Sequence, residues 1–262
     1  MNIIGDIAGE YKTLLALVEK MPKDEIILLG DLNDRGPQSK EVIEWAIKTP
    51  NVVTMNSNHG HMMVEAYEQS SLSDPPPRYY EKGIWFYNGG TTTLNSYNKD
   101  WKNEIMFSEV DMGYGGKMVT YVEHLLHHLI PKNHINFLKN CPMYLKRDNF
   151  IISHAPHNVM ISLDEASMLG EGFYPFTDEV SDNNLIWNRH VSKKYLPGKI
   201  NIFGHNSSDK VKIYTTLRDP IKVDAGKITL NDIRAICLDS SGGKKLSGLH
   251  TPTMTIYEQE YL

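Results

Sequence analysis

Gly30-Asp31-Leu32-Asn33-Asp34-Arg35-Gly36 places two carboxylates three residues apart, with a guanidinium directly after the second and a glycine at each end. Four further positions share its character, each a metal-binding or proton-carrying side chain just past a short apolar run. They are Asp6 after Asn2-Ile3-Ile4-Gly5, Asn58 with His59 after Val52-Val53-Thr54-Met55, His154 after Phe150-Ile151-Ile152-Ser153, and His205 after Ile200-Asn201-Ile202-Phe203-Gly204. An Asp beside a buried run is costly unless it is paired or bound to a metal. Two carboxylates, an amide oxygen and two imidazoles (Asp6, Asp31, Asn58, His154 and His205) suit Mn, Fe, Zn or Co. With one Asp shared, they can hold two ions about 4 Å apart, a pair that clamps a phosphoryl group and activates a water. His59 is then placed to protonate a leaving oxygen, with Asp34 fixing its tautomer. Arg35 and Arg189 offer forked donors for the non-bridging phosphate oxygens.

For those side chains to meet, the apolar runs must be strands ending on one edge. Ile26-Ile27-Leu28-Leu29 is too short for a helix and too continuous for a half-exposed strand, so it reads as a strand buried on both faces. Tyr11, Leu14, Leu15, Leu17 and Val18 recur at helical spacing up to Met21-Pro22. Pro37-Gln38-Ser39 opens a second helix to about Lys48, and a third covers roughly Met62 to Gln69. Strand and helix alternating three times with short loops predict parallel strands, right-handed crossovers and carboxyl ends on a common edge.

The stretch from Ser70 to Lys146 differs. Ser70–Pro77 is rich in breakers, and helical patches follow at Val119–Leu129 and His134–Leu138. It reads as a mostly helical insertion covering one side of the active edge. His124, His127, His128 and His134 lack a carboxylate or Cys partner pattern, so they are assigned packing or solvated roles. Short strands at Val211–Tyr214, Arg234–Leu238 and Thr253–Tyr257, with a turn at Gly242-Gly243, predict a second, mainly antiparallel sheet. Taken singly, the candidate residues have plainer uses: Asp31 or Asp34 paired to Arg35, Asn58 as a helix cap, His154 in a core, Trp187 in packing. Their joint placement at strand ends outweighs those uses.

The motifs resemble the calcineurin-type metallophosphoesterases of the phosphoprotein phosphatase family, in particular lambda-type phage phosphatases and symmetrical diadenosine tetraphosphate hydrolases. The family's Gly-Asp-x-His-Gly appears as Gly5-Asp6-Ile7-Ala8-Gly9, and its Gly-Asp-x-x-Asp-Arg-Gly is complete at Gly30–Gly36. Its Gly-Asn-His-Glu is reduced to Ser57-Asn58-His59-Gly60. The later His and Gly-His signatures match Ser153-His154-Ala155 and Phe203-Gly204-His205, and Ile186-Trp187-Asn188-Arg189 resembles the segment bearing the second phosphate-binding Arg. The resemblance implies an α/β fold, a two-sheet sandwich flanked by helices, with residues 1–262 as one metallophosphoesterase domain and 70–146 an insertion or cap within it. It implies two divalent ions, Mn foremost with Fe, Zn, Co or Ni as alternatives. Asp6 would serve the first ion, Asp31 would bridge, Asn58, His154 and His205 would serve the second, and His59 with Asp34 would protonate the leaving group. At position 8 the family has a ligating His and this chain has Ala. The first site is therefore expected to be weakened, through an inactivating replacement or through a naturally altered or single-metal site. His61 is a further, distant candidate to replace that ligand.

Three activities remain open: phosphomonoester hydrolysis of the Ser/Thr-phosphatase kind, dinucleoside polyphosphate hydrolysis, and silent phosphate or nucleotide binding. Asp34, which some of the dinucleoside hydrolases replace, tilts the choice to the first. The expected partner is a phosphorylated protein, small phosphate ester or nucleotide. A formal net charge of −5 over 262 residues argues against non-specific nucleic-acid binding. No apolar run approaches the roughly 18 residues of a membrane helix. Met1-Asn2-Ile3-Ile4-Gly5-Asp6 has no leader pattern, and Cys141 and Cys237 form no CxxC pair, which together give a cytoplasmic expectation with two buried thiols.

Overall fold

The computed structural model describes residues 1–69, 85–101, 107–111, 117–121, 125–171, 183–217, 220–229 and 231–262. The first three strand–helix units are β1 (Asn2–Ile4), α1 (Tyr11–Lys20), β2 (Ile26–Leu28), α2 (Ser39–Lys48), β3 (Val52–Thr54) and α3 (Asn58–Gln69). β1, β2 and β3 pair in parallel, Ile3 opposite Ile27 and Ile27 opposite Val53. The period of two along a strand explains the continuous apolar run. Ile26 and Leu28 face a core shared with Leu14, Leu17, Val42 and Met63, whereas Ile27 and Leu29 face the second sheet through Ile152, Ile202 and Ile236. Each such side chain contributes about 1.5–3 kcal/mol on burial.

The third helix begins at Asn58, four residues earlier than the apolar spacing indicates. Ser57 Oγ accepts the backbone N–H of Gly60 at 3.2 Å, so Ser57 caps the helix and Asn58 lies in its first turn.

Between α3 and the second sheet lie a π-helical turn (Phe86–Gly90), α4 (Thr91–Tyr97), the hairpin β4 (Phe107–Asp111) and β5 (Lys117–Tyr121), α5 (Leu125–Leu129) and α6 (Lys132–Lys139). The helix expected from Val119 is strand as far as Tyr121, because Lys117-Met118-Val119-Thr120-Tyr121 is β-branched and aromatic and pairs with Phe107–Asp111. His134 packs in α6, its Nδ1 bound to the Tyr97 hydroxyl at 2.7 Å; His127 stacks on Tyr67, and His128 is exposed. His124 lies outside the described residues.

The second sheet runs β10 (Ile221–Val223), β9 (Val211–Thr215), β12 (Ile233–Cys237), β8 (Ile200–Phe203), β7 (Phe150–Ser153), β6 (Tyr144–Arg147), and α7 (Leu163–Glu171) follows β7 in the chain. Its central strands β7, β8 and β12 are parallel, so this sheet is mixed where a mainly antiparallel one was expected. The last strands, β13 (Lys245–His250) and β14 (Thr255–Glu260), cross to the first sheet, β13 pairing antiparallel with β1; β11 (Gly226–Lys227) closes its edge. The result is an α/β sandwich of two sheets flanked by helices. Cys141 and Cys237 are free thiols; burial pushes Cys141 up to about 12 and raises Cys237 as well. Among the described residues no helix is long and apolar enough to cross a membrane.

Gly30 links β2 to the charged loop at φ 110°, and a Cβ there would lie 2.5 Å from Ser57 Cβ and 3.2 Å from His154 Nδ1. Gly30→Ala combines a left-handed backbone penalty with overpacking, together about 3 kcal/mol. Thermal denaturation should show a fall of roughly 6–12 °C in Tm; a change within error would contradict this tight approach.

Candidate metal centre

Five strands end at one edge and deliver the side chains singled out above. Asp6 follows β1, Asp31 follows β2, Asn58 opens the helix after β3, His154 follows β7 and His205 follows β8. The loops holding them are tied together by their backbones. Ala8 N donates to Asp31 O at 2.6 Å, Gly36 N to Ala8 O at 2.9 Å, and Gly204 N to His154 O at 2.8 Å. Among the described residues ten non-glycine positions have positive φ, and Ala8, Asp31, Asp34, Arg35 and His205 are five of them. Backbone strain of this kind costs on the order of 1–3 kcal/mol per residue and persists only where surrounding contacts enforce it.

Within this edge the acceptor atoms face one another. His154 Nε2 lies 2.7 Å from Asn58 Oδ1 and 3.4 Å from Asp31 Oδ1, and His205 Nδ1 lies 3.2 Å from Asn58 Oδ1. The outer nitrogens fix the tautomers. His154 Nδ1 donates to Leu29 O at 2.8 Å and His205 Nε2 donates to Trp187 O at 3.2 Å, because a carbonyl can only accept. Each ring therefore turns a lone pair inward, as metal-ligating imidazoles do. Burial lowers the pKa of His154; burial, with His154 and Arg189 nearby, holds His205 well below the ordinary histidine value. Both stay neutral. Imidazole lone pairs, an amide oxygen and a carboxylate oxygen crowded at 2.7–3.4 Å fit a cation. Asn58, His154, His205 and Asp31 could hold one ion, and Asp31 with Asp6 a second.

The two carboxylates differ. Asp31 is 5% exposed, and burial raises its pKa, but nearby positive charge, from His59 first and then Arg35, outweighs burial and holds it below the usual range. Asp6 is raised well above the ordinary value, by burial first and then by the charges of Asp239 and Asp31. Its oxygens accept the His205 backbone N–H at 3.0 and 3.2 Å. Asp6, Asp31 and His154 can each offer a ligand atom within 4.8 Å of the others. Ala8 lies buried in the same loop and offers only a methyl group.

Beside these donors His59 Nδ1 bonds Asp34 Oδ2 at 2.6 Å. Its Nε2 is 3.2 Å from Arg35 Nη2 and 3.9 Å from Asp31 Oδ2. Burial works against a charged His59, but Asp31 and Asp34 more than offset it and raise its pKa. Asp34 is fully buried and does not depend on Arg35. Its carboxylate accepts Trp85 Nε1 at 3.0 and 3.1 Å and Thr93 Oγ1 at 2.6 Å, and Ser39 Oγ and Thr93 Oγ1 accept its backbone N–H. Gly89, at φ 114°, brings the π-helical turn so close that a Cβ would sit 2.9 Å from Arg35 N. The stretch from Trp85 to Thr93 thus reaches the dyad itself. Arg35 and Arg189 are exposed, and Arg189 Nη1 donates to His205 O at 3.3 Å. Trp187 packs its ring partly into the core, as expected of a packing residue.

The structure thereby joins Asp6, Asp31, Asn58, His154 and His205, with His59 and Asp34 alongside and both arginines at the rim. His61 is elsewhere, lining a surface cavity with Glu65, Leu138 and Met143. Trp85, Thr93 and Ser39 were not singled out in the sequence, and no local motif marks them. Asp239 was also missed, although it follows the apolar run Ile236-Cys237-Leu238 and fits the same strand-end pattern.

The chain is 25% identical over 236 residues to serine/threonine-protein phosphatase 2 of Escherichia coli (strain K12), covering 86% of each chain. It is 37% identical over 79 residues to a symmetrical bis(5'-nucleosyl)-tetraphosphatase of Methylobacillus flagellatus, covering 27% of this chain and 28% of that one. The crystal structure of a metallophosphoesterase from Sphaerobacter thermophilus superposes with a TM-score of 0.56 at 13% identity, covering 100% of this chain and 90% of the other, which speaks to the fold alone. Residues 2–209 match the calcineurin-like phosphoesterase family, and the chain belongs to the calcineurin-like phosphoesterases.

Proposed function

We propose that this chain hydrolyses phosphomonoesters, including those of serine and threonine, with two divalent ions bound at the strand-end cluster. The observation that carries the reading is the convergence of two inward-turned imidazoles, Asn58 and Asp31 on one point, with the His59–Asp34 pair beside it. Bound divalent ions supply Lewis acidity toward phosphoryl oxygens and lower the pKa of a water. The protein's own groups do the rest. Arg35 and Arg189 receive the non-bridging oxygens and orient the ester. His59, held through Nδ1 by Asp34, gives its Nε2 proton to the departing oxygen, which turns a poor alkoxide leaving group into an alcohol. Asp34 keeps the imidazole oriented and is itself kept from rotating by Trp85 and Thr93. The donor set takes Mn²⁺ readily, and the first ion, with no ligand from position 8, is held more weakly than the second. The 70–146 stretch is our candidate for setting substrate choice.

Likeness to the E. coli phosphatase along most of the chain and the intact Asp34 support phosphomonoesters. A dinucleoside polyphosphate is the second reading, supported by the shorter but more identical match to the tetraphosphatase. A silent phosphate- or nucleotide-binding role is the third, prompted by Ala8. With Mn²⁺ present, a phosphoserine peptide, p-nitrophenyl phosphate and diadenosine tetraphosphate should be compared side by side. The first two are expected to turn over faster. Turnover of diadenosine tetraphosphate alone would establish the second reading, and binding without turnover of any ester the third.

Trp85→Phe removes one of the donors that hold Asp34 while leaving most of the ring's packing. It should lower kcat by about 10-fold with KM little changed. Steady-state kinetics that show an unchanged kcat would remove Trp85 from the proton-donating machinery.

A further inference from the structure

Arg189 opens a segment whose charge is opposite to that of the chain as a whole. Arg189-His190-Val191-Ser192-Lys193-Lys194-Tyr195-Leu196-Pro197-Gly198-Lys199 holds four formal cations and no carboxylate, in a chain of formal net charge −5. Arg189, Lys193 and Lys194 are exposed, and Tyr195 and Leu196 are exposed beside them. Among the described residues neither Lys193 nor Lys194 forms an ion pair. Lys199 differs, since its Nζ donates to Asp148 O at 2.9 Å. Adjacent cations without carboxylate partners raise the local potential and attract an anionic partner.

The segment is tied to the second sheet at two levels. Asn206 Nδ2 donates to Arg189 O at 2.9 Å and Arg189 Nη1 donates to His205 O at 3.3 Å, which holds its start at the edge where the site lies. Further on, Arg234 Nη1 donates to Ser192 O, and Arg234 Nε donates to Thr215 O at 2.9 Å. Arg234 precedes Ala235, whose partner across the sheet is Asn201, four residues before His205. At about 3.3 Å per residue, Lys193 then lies on the order of 15 Å from His205, back along β8. The segment ends where β8 begins, at Ile200. It is a basic strip that starts at the rim, at an arginine proposed to receive the phosphoryl group, and leads away from it.

We infer that the strip from Arg189 to Lys194 docks acidic residues that flank the phosphorylated residue of a protein substrate. The inference rests on the phosphomonoester reading above and concerns which phosphoproteins the chain selects. An extended peptide covers 15 Å in about four or five residues, so with phosphoserine at the site, Asp or Glu roughly four to six positions away meets Lys193 and Lys194. Tyr195 and Leu196 offer the same peptide an apolar contact. A net charge of −5 opposes a long nucleic-acid backbone, whereas a short acidic peptide needs only the strip. Attraction of this kind is equal in the bound substrate and the transition state, so it lowers KM and leaves kcat alone.

Phosphoserine peptides with acidic, neutral or basic residues at those positions, on either side, are compared with p-nitrophenyl phosphate on the full chain with Mn²⁺. Peptide binding is read separately by fluorescence anisotropy. The acidic peptide should show a KM about 10-fold below that of the neutral one at equal kcat, and the gap should close as salt is raised. Lys193→Glu combined with Lys194→Glu should abolish that preference, favour the basic peptide and leave p-nitrophenyl phosphate turnover unchanged. Turnover of all peptides without preference, or a preference that survives the double replacement, would overturn the role of the strip. An RNA oligonucleotide that displaces the acidic peptide and binds more tightly would assign the surface to nucleic acid and overturn it as well. No turnover of any ester would instead remove the phosphoesterase reading, and anisotropy then decides the strip by the same peptide order and the same reversal. Should the double replacement not fold, Lys193→Gln with Lys194→Gln must remove the acidic preference, and its persistence would overturn the proposal.

Discussion

An ionised carboxylate at the end of a fully buried strand has to be balanced by groups from outside that strand. Asp31 is in this position: His59 on α3 and Arg35 in the loop beyond supply the charge that offsets its burial, and the imidazoles of His154 after β7 and His205 after β8 close the site from the second sheet. Those groups belong to both sheets. The site of this one side chain thus lies where the two sheets meet, with Leu29 and Met55 against Ile152 and Ile202 just behind the polar edge. The left-handed backbone at Asp31, Asp34 and Arg35 follows from the same demand, since the loop has to turn sharply to point both carboxylates inward.

The His59–Asp34 pair shows how a histidine keeps its basicity in a buried place. Histidine loses basicity on burial, and His154 and His205 do so and remain neutral. His59 is buried to a similar degree, yet the carboxylates of Asp31 and Asp34 shift it the other way. Three buried histidines in one site thereby divide into two whose pKa is lowered and one whose pKa is raised, and the neighbours decide which is which.

Much of this was legible in the sequence, for reasons that can be located. Ile26–Leu29 announces a doubly buried strand because both of its faces are apolar, and the rule that ligands gather past such strands finds Asp6, Asp31, Asn58, His154 and His205 in turn. Asp239 escaped because the serines and glycines after it read as a plain turn. The start of α3 was misplaced because its cap, Ser57, sits inside the site motif rather than before an apolar run. The sheet to which β13 and β14 belong was not readable, since an antiparallel strand's alternation fits either sheet and its partner is chosen by tertiary packing. Trp85 and Thr93 escaped for a different reason. They serve Asp34 from more than fifty residues away, and nothing local connects an indole or a threonine to a distant carboxylate.

That distant connection constrains how the protein can diversify. The stretch from Trp85 to Thr93 is pinned to Asp34 by Trp85 and Thr93 and pressed on Arg35 at Gly89. Replacing this stretch would also replace the support of the His59–Asp34 pair. A successful graft has to carry an indole, a hydroxyl and a glycine at the matching places, so a segment far from the pair in sequence is tied to it in space.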